Sequence, residues 1–170
     1  MLGHWELRRG LGDDDEAVNR KVRLAFEAGL APILLVGEAR DDARDDPSPP
    51  EVALERQLGR VLQGCLAEQV ARAAFVYEPE GAIGVSAPAS PEHVAAGCAI
   101  IRSWLRGRWG EAVAESARVI YGGSVSPEHA PALLSTPDLD GLGATRRGRD
   151  AGTFVEIVRL IASRERKLYG

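Results

Sequence analysis

Short apolar segments alternate with longer segments of helical periodicity along this 170-residue sequence. The apolar segments cover residues 31–38, 73–77, 117–121 and 139–144, and each has a glycine or an acid at or next to its last residue. Strands that are separated by helices usually lie parallel in one sheet, with the helices covering its faces. The sequence therefore predicts an α/β fold in one domain, with functional residues at the carboxyl ends of the strands.

The helical segments are marked by apolar residues that recur at intervals of three or four and by capping residues at their starts. Residues 13–29 and 51–70 form the first two, Ser90 and Ser126 begin the next two, and residues 154–161 lie in the last. The residues that we predict to be buried on these helices are Val18, Val22, Phe26, Val52, Leu58, Val61, Leu62, Leu66, Val94, Cys98, Ile101, Leu105, Phe154, Ile157, Val158 and Ile161.

The composition limits the partners and cofactors to be expected. A net charge of −4 gives no reason to expect nucleic acid or an anionic membrane surface as a partner. No apolar run approaches the roughly 20 residues of a membrane span, and the N-terminus lacks a signal-peptide pattern. Cys65 and Cys98 lie among apolar helix residues, so we expect buried free thiols and a cytoplasmic location. His93 and His129 have no ligand pattern around them, which predicts surface histidines and no metal site.

Five motifs, taken together, resemble one enzyme family. They are MLGHWELRR at residues 1–9, APILLVGE at 31–38, YEPEGAIG at 77–84, YGGSV at 121–125 and STPDLDGL at 135–142. In the triosephosphate isomerase family the matching motifs read L-G-H-S-E-R-R, P-I-L-C-V-G-E, Y-E-P-V-W-A-I-G, Y-G-G-S-V and Q-P-D-I-D-G. Their order is the same and their spacing is close, so the sequence is similar to this family over essentially its whole length.

The resemblance implies the family's (β/α)8 TIM barrel, which has ~250 residues when complete. Because the similarity begins at the carboxyl end of the fourth strand, we expect about half to five-eighths of a barrel. Residues 1–170 would form a single, N-terminally incomplete domain. The family's asparagine and catalytic lysine after strand one, and its main dimer loop after strand three, have no counterpart here. Lys21 and Lys167 fall on helical segments instead.

The resemblance also implies an activity in carbohydrate metabolism. The family moves a proton between adjacent carbons of a short sugar phosphate through an enediolate, and it needs no cofactor. Glu78 matches the general base, His4 matches the neutral electrophile at a helix start, and Glu6 matches the neighbouring acid. From the residues alone, Glu78 can equally be a solvated loop acid, and His4 a frayed terminal histidine.

The substrate-binding loops follow from the same resemblance. The lid residues are Pro79, Ala82, Ile83, Gly84 and Tyr121, and the phosphate-binding residues are Gly84, Gly123, Ser124, Thr145 and Arg146. The backbone N–H groups of Gly84 and Ser124 would bind the phosphate, and glycine would let the chain approach it closely. Taken alone, Gly122-Gly123 fits a plain strand-to-helix turn equally well.

Three loops depart from the family's pattern. The first lid hinge reads Pro79-Glu80-Gly81 where the family has proline, valine and tryptophan, and we expect this hinge to be looser. The far hinge reads Ala87-Pro88-Ala89, and Trp5 replaces a serine beside the histidine. In the last loop Thr145 and Arg146 replace two glycines. Arg146 can bind phosphate through its guanidinium, fill the pocket or point into solvent.

Two classes of function stay open at this point. One is an isomerase acting on dihydroxyacetone phosphate and glyceraldehyde 3-phosphate, or on a tetrulose phosphate. The other is a catalytically incompetent remnant or a phosphosugar-binding pseudoenzyme. A half-barrel can also form a homo-oligomer through exposed strand edges at residues 32–36 and 140–144. Without the family's lysine, we expect isomerase activity of this chain to be lower by roughly 10³-fold or more.

Overall fold

A parallel four-stranded sheet forms the centre of the fold, as the sequence predicted. The computed structural model describes residues 1–40, 49–144 and 146–169, with side chains through residue 163. The strands, adjacent in chain order, are β1 (Ile33–Val36), β2 (Ala74–Tyr77), β3 (Arg118–Tyr121) and β4 (Gly141–Leu142). The helices are α1 (Trp5–Leu11), α2 (Asp15–Glu27), α3 (Pro50–Val61), α4 (Ala67–Val70), α5 (Pro91–Trp109), α6 (Glu111–Ser116), α7 (Ala130–Leu134) and α8 (Ala151–Tyr169).

The strands end in register at their carboxyl ends. The last residues of the four strands, Val36, Tyr77, Tyr121 and Leu142, pair in sequence across the sheet. The loops that follow these strands therefore begin side by side, which is the edge where parallel α/β folds place their functional residues.

Helices pack against one face of the sheet and form the apolar core. The residues predicted to be buried on α2 and α5 are buried, and Cys65 and Cys98 are buried free thiols. Burial raises the pKa of the Cys98 thiol to about 12, so this thiol stays protonated and serves as a packing group. Among the described residues, no helix is long and apolar enough to cross a membrane.

The prediction of one continuous helix over residues 51–70 is wrong, because two helices form there. The chain leaves α3 at Leu62 and re-enters a helix at α4, and Gly64 adopts a φ of +74° between them. A left-handed residue ends a helix, and glycine adopts this conformation without strain. Val52 and Leu66 were predicted to be buried but are exposed. Val52 lies two positions from the buried Leu54 and so on the opposite side of α3, and Leu66 lies in the turn before α4.

Two other helix predictions need correction. The helix expected to begin at Ser126 begins at Ala130 instead, because residues 127–129 form a turn in which the buried Ser126 hydroxyl binds the Glu128 side chain. On α8, Ile157 is buried, whereas Phe154 and Val158 are about half exposed. Most of the loop predicted over residues 39–50 lies outside the described residues.

The strand edge predicted to be exposed at residues 32–36 is partly paired. The Leu2 N–H donates to the Ile33 carbonyl at 2.9 Å, and the Leu35 N–H donates to the Leu2 carbonyl at 2.8 Å. Residue 2 thus adds a single-residue bridge beside β1. Four strands and this bridge correspond to the expected half to five-eighths of a barrel.

Packing between α5 and β2 gives a direct test of the fold. A Cβ at Gly97 would lie 2.2 Å from the Tyr77 ring, so Gly97→Ala should lower the free energy of unfolding by about 1–3 kcal/mol through overpacking. The matched control is Gly107→Ala on the same helix, where nothing lies within 4 Å of the added Cβ. That change should stabilise the protein by about 0.5–1 kcal/mol. Urea unfolding followed by circular dichroism measures both, and equal effects would contradict this packing.

Candidate active site

Glu78 directly follows β2, in a row of residues that has glycine on the neighbouring strands. The strand register defines this row as Gly37, Glu78, Gly122 and Gly143. A Cβ at Gly37 would lie 2.3 Å from the Glu78 carbonyl oxygen, and one at Gly122 would lie 2.4 Å from Val76 Cγ1. Glu78 therefore supplies the one side chain of the row, and only 2% of this residue is exposed.

The Glu78 carboxyl group is buried, and its Oε2 atom has no hydrogen bond to the described residues. Side chains alternate along a strand, so Glu78 projects away from α5, against which the Tyr77 ring packs. Burial disfavours the charged form and, together with the Glu6 carboxylate, raises the pKa of Glu78 to about 7. A carboxyl group with this pKa can take up and return a proton near neutral pH.

His4 is the N-cap residue of α1, and its ring faces Glu78. Its Nδ1 atom accepts a hydrogen bond from the Glu6 backbone N–H at 3.1 Å, so that nitrogen carries no proton. A neutral ring then carries its proton on Nε2, which lies 3.5 Å from Glu78 Oε2. The fold thus brings the two predicted catalytic side chains together, and it places the side chain of Glu6 at the exposed start of the helix.

Two side chains of the YGGSV motif hold the predicted lid. The Tyr121 hydroxyl accepts a hydrogen bond from the Ala89 N–H at 2.8 Å, at the far hinge. Burial raises the pKa of Tyr121 to about 12, so the hydroxyl stays neutral. Ser124 Oγ lies 2.9 Å from the carbonyl oxygens of both Ala82 and Val85, and it can donate its hydrogen to either.

Three backbone donors lie in the loops predicted to bind phosphate. The N–H groups of Gly84, Gly123 and Ser124 make no hydrogen bond to any described residue. Gly84 has a φ of +76°. A Cβ added at Gly84 would lie 3.0 Å from Arg146 Nη2, so the guanidinium is close to this loop. Arg146 is exposed at this lid tip, and Thr145 lies outside the described residues. Backbone N–H groups beside a guanidinium are suited to bind an anion.

The first lid hinge contains an ion pair that sequence reasoning missed, between the buried Glu80 and the half-exposed Arg9. Arg9 donates from Nε to Glu80 Oε1 at 2.9 Å and from Nη2 to Oε2 at 2.8 Å, and the Arg40 backbone N–H donates to Oε2 at 3.0 Å. The hydrogen bonds from Arg9 are the main reason why the pKa of Glu80 lies below its usual value. Pro79 is buried beside this pair, and Ile83 is half-buried. The looser hinge expected from Gly81 stays a prediction.

His93 is exposed, as predicted, but it has partners that no sequence pattern indicated. His93 Nε2 lies 2.7 Å from Glu38 Oε1 and 3.0 Å from the Tyr77 hydroxyl, and that hydroxyl donates to the Glu38 carboxylate. Burial and the Glu38 charge raise the pKa of Tyr77 well above its ordinary value. His129 also has a partner, since its Nδ1 lies 2.8 Å from Ser126 Oγ. Glu38 and His93 are of metal-binding types, but within the described ranges no three such side chains cluster.

The buried carboxyl group makes stability depend on pH. Since folding raises the Glu78 pKa from 4.5 to about 7, the contribution of this group to stability is fully present below the unfolded pKa and is lost as the pH rises through about 7. We expect Glu78→Gln to raise the free energy of unfolding by ~3 kcal/mol at about pH 9, where the wild-type carboxylate is ionised, and to change it little at about pH 5. Urea unfolding at both pH values measures this. The control is Glu68→Gln, at an exposed glutamate, and parallel pH profiles for wild type and Glu78→Gln would contradict the burial.

Comparisons with known proteins show which family the sequence matches. The family model for triosephosphate isomerase matches residues 1–161. A triosephosphate isomerase of Citrifermentans bemidjiense is 38% identical over 162 residues, which cover 94% of this chain and 62% of the relative. A triosephosphate isomerase of Azoarcus is 40% identical over 162 residues, which cover 94% of this chain and 64% of that relative. The chain thus spans under two thirds of the length of these curated relatives. The match of the family model to residues 1–161 shows that the chain belongs to the triosephosphate isomerase family.

Proposed function

We propose that this chain carries the proton-transfer centre and the phosphate-binding loops of an aldose–ketose isomerase. The observation that carries the proposal is the buried carboxyl group of Glu78, whose Oε2 atom has no hydrogen bond and lies 3.5 Å from His4 Nε2. A buried carboxyl oxygen without a hydrogen bond is costly to keep in a fold, so such a group points to a chemical role.

Glu78 acts as the general base in this proposal. Its ionised carboxylate takes a proton from a carbon next to the substrate carbonyl, and the electron pair moves onto the carbonyl oxygen to give an enediolate. The protonated Glu78 then returns the proton to the neighbouring carbon, which converts ketose to aldose. A pKa of about 7 suits both halves of this cycle.

His4 acts as the electrophile. Its Nε2–H donates a hydrogen bond to the oxygen on which negative charge develops, while the Glu6 N–H holds Nδ1 as the acceptor. A neutral imidazole suits this role because it can give a proton to one enediolate oxygen and take one from the other. The lid excludes water from the enediolate, and the contacts of Tyr121 and Ser124 support a closed lid.

The substrate class follows from the other end of the site. The N–H groups of Gly84, Gly123 and Ser124, together with the Arg146 guanidinium, support binding of a phosphate group. Arg146 is part of this proposal because its guanidinium reaches the lid tip at Gly84. Triose phosphates and a tetrulose phosphate both present a terminal phosphate and a hydroxyketone, so both are candidate substrates.

Proton exchange with solvent tests the proposed chemistry. The full chain is incubated in D2O with dihydroxyacetone phosphate or with a tetrulose phosphate, and proton NMR follows the loss of carbon-bound hydrogen and the appearance of aldose. We expect exchange to increase as the pH rises through about 7, because the base must be ionised. No described side chain of the site is a lysine, so turnover should be slower than that of a complete isomerase by roughly 10³-fold or more.

The variants define the outcomes of that experiment. Glu78→Gln should abolish exchange, and Glu68→Gln, at an exposed position, should not change it. Exchange that persists in Glu78→Gln would remove the proposed base. Phosphosugar binding by the wild type without exchange would favour the alternative of a binding protein that has lost catalysis.

Phosphate recognition by Arg146 is tested by calorimetry. The ligand 2-phosphoglycolate presents a phosphate, and glycolate is the matched compound without it. Arg146→Gln should weaken 2-phosphoglycolate binding by roughly 10- to 100-fold, because a charge-assisted hydrogen bond is lost. Arg147→Gln, at the exposed neighbouring arginine, is the control and should have a smaller effect. Equal losses in the two variants would mean that Arg146 contributes only net charge.

A further inference from the structure

The helix that carries His4 lacks a hydrophobic anchor. Helix α1 has seven residues, and none of them is buried. Most helices of globular proteins are held in place by an apolar face that packs on the core. The position of α1, and with it the position of the His4 ring, must therefore depend on other contacts.

Polar contacts attach α1 to the residues that follow β2. The Arg9 guanidinium binds both carboxylate oxygens of Glu80, at 2.9 and 2.8 Å, and it lies 5.3 Å from the centre of the Trp5 ring. The Trp5 indole N–H donates to the Glu78 carbonyl oxygen at 3.3 Å. Arg8 contacts Gly3 and Asp15 instead, so it fixes α1 to its own neighbours in the sequence.

Glu80 is fixed on the sheet side of this contact. Its carboxylate also accepts the Arg40 N–H, its own N–H donates to the Glu38 carbonyl at 3.0 Å, and the residue is only 8% exposed. It lies two positions after Glu78, with the buried Pro79 between them. A bidentate arginine–carboxylate pair has a defined geometry as well as strength. The pair therefore connects the helix of His4 with the segment of Glu78.

We propose that Arg9 and Glu80 form a positioning pair. The pair holds α1, which begins after His4, against the first lid hinge, which begins after Glu78, and so sets the distance between the side chains of His4 and Glu78. Neither residue touches the reacting atoms. The proposal deepens the proposed function and relies on it for the roles of His4 and Glu78, but the contact itself can be tested without turnover.

The test uses the full chain, with the Glu78 carboxyl group and the His4 ring observed by carbon-13 and nitrogen-15 NMR. Among the described residues, the titratable groups near Glu78 are His4, Glu6 and Tyr121. In Arg9→Gln and in Glu80→Gln, α1 should move away and admit water, so the Glu78 pKa should fall from about 7 toward its ordinary value. The exchanged pair, Arg9→Glu with Glu80→Arg, should partly restore the wild-type pKa. Arg106→Gln breaks an exposed bidentate pair with Glu111 and should leave Glu78 unchanged.

Glu80→Val is the variant to use if Arg9→Gln or Glu80→Gln fails to fold. It removes the link without leaving an unpaired buried carboxylate, and it should also lower the Glu78 pKa. Folded variants with unchanged Glu78 and His4 signals would overturn the proposal. Where turnover is measurable, kcat should fall about tenfold while 2-phosphoglycolate binding changes less, because orientation rather than phosphate contact is lost. A wild type without turnover would count against the proposed function, whereas the NMR titration would still decide the inference.

Discussion

The site depends on a steric constraint imposed by the parallel sheet. Register places Gly37, Glu78, Gly122 and Gly143 in one row, and the backbone and Val76 leave no room for side chains at Gly37 and Gly122. The row therefore contains one carboxyl group among hydrogen atoms and backbone. Such surroundings keep the group away from water and give it no fixed hydrogen-bond donor at Oε2, so the neutral form is favoured and the pKa rises.

The polar groups around this carboxyl group have two different arrangements. On the substrate side, donors are left available, as in the N–H groups of Gly84 and Ser124. On the scaffold side, charges are paired, as in the contact between Arg9 and the buried Glu80. Paired charges give the scaffold defined geometry, whereas donors without partners suit a ligand that brings its own charge.

Much of the fold and some of the site were predictable from the sequence. Alternating segments predicted the parallel sheet, and the spacing of Val18, Val22 and Phe26 predicted a buried helix face, because both depend on local periodicity. The motifs pointed to Glu78 and His4, which the fold brings within 3.5 Å. The prediction for residues 51–70 was wrong because a single left-handed glycine, Gly64, ended the helix in the middle of a continuous apolar pattern.

By itself, the sequence determined the alternation of strands with helical segments, the family and the identity of the candidate base, since these are carried by local patterns and short motifs. Only the tertiary structure decided which polar groups pair. Arg9 and Glu80 are 71 positions apart, and Glu38 and His93 are 55 positions apart, so no local pattern could connect them. It also decided that Glu78 is buried, because burial depends on what the neighbouring strands place beside a residue, and here they place glycine.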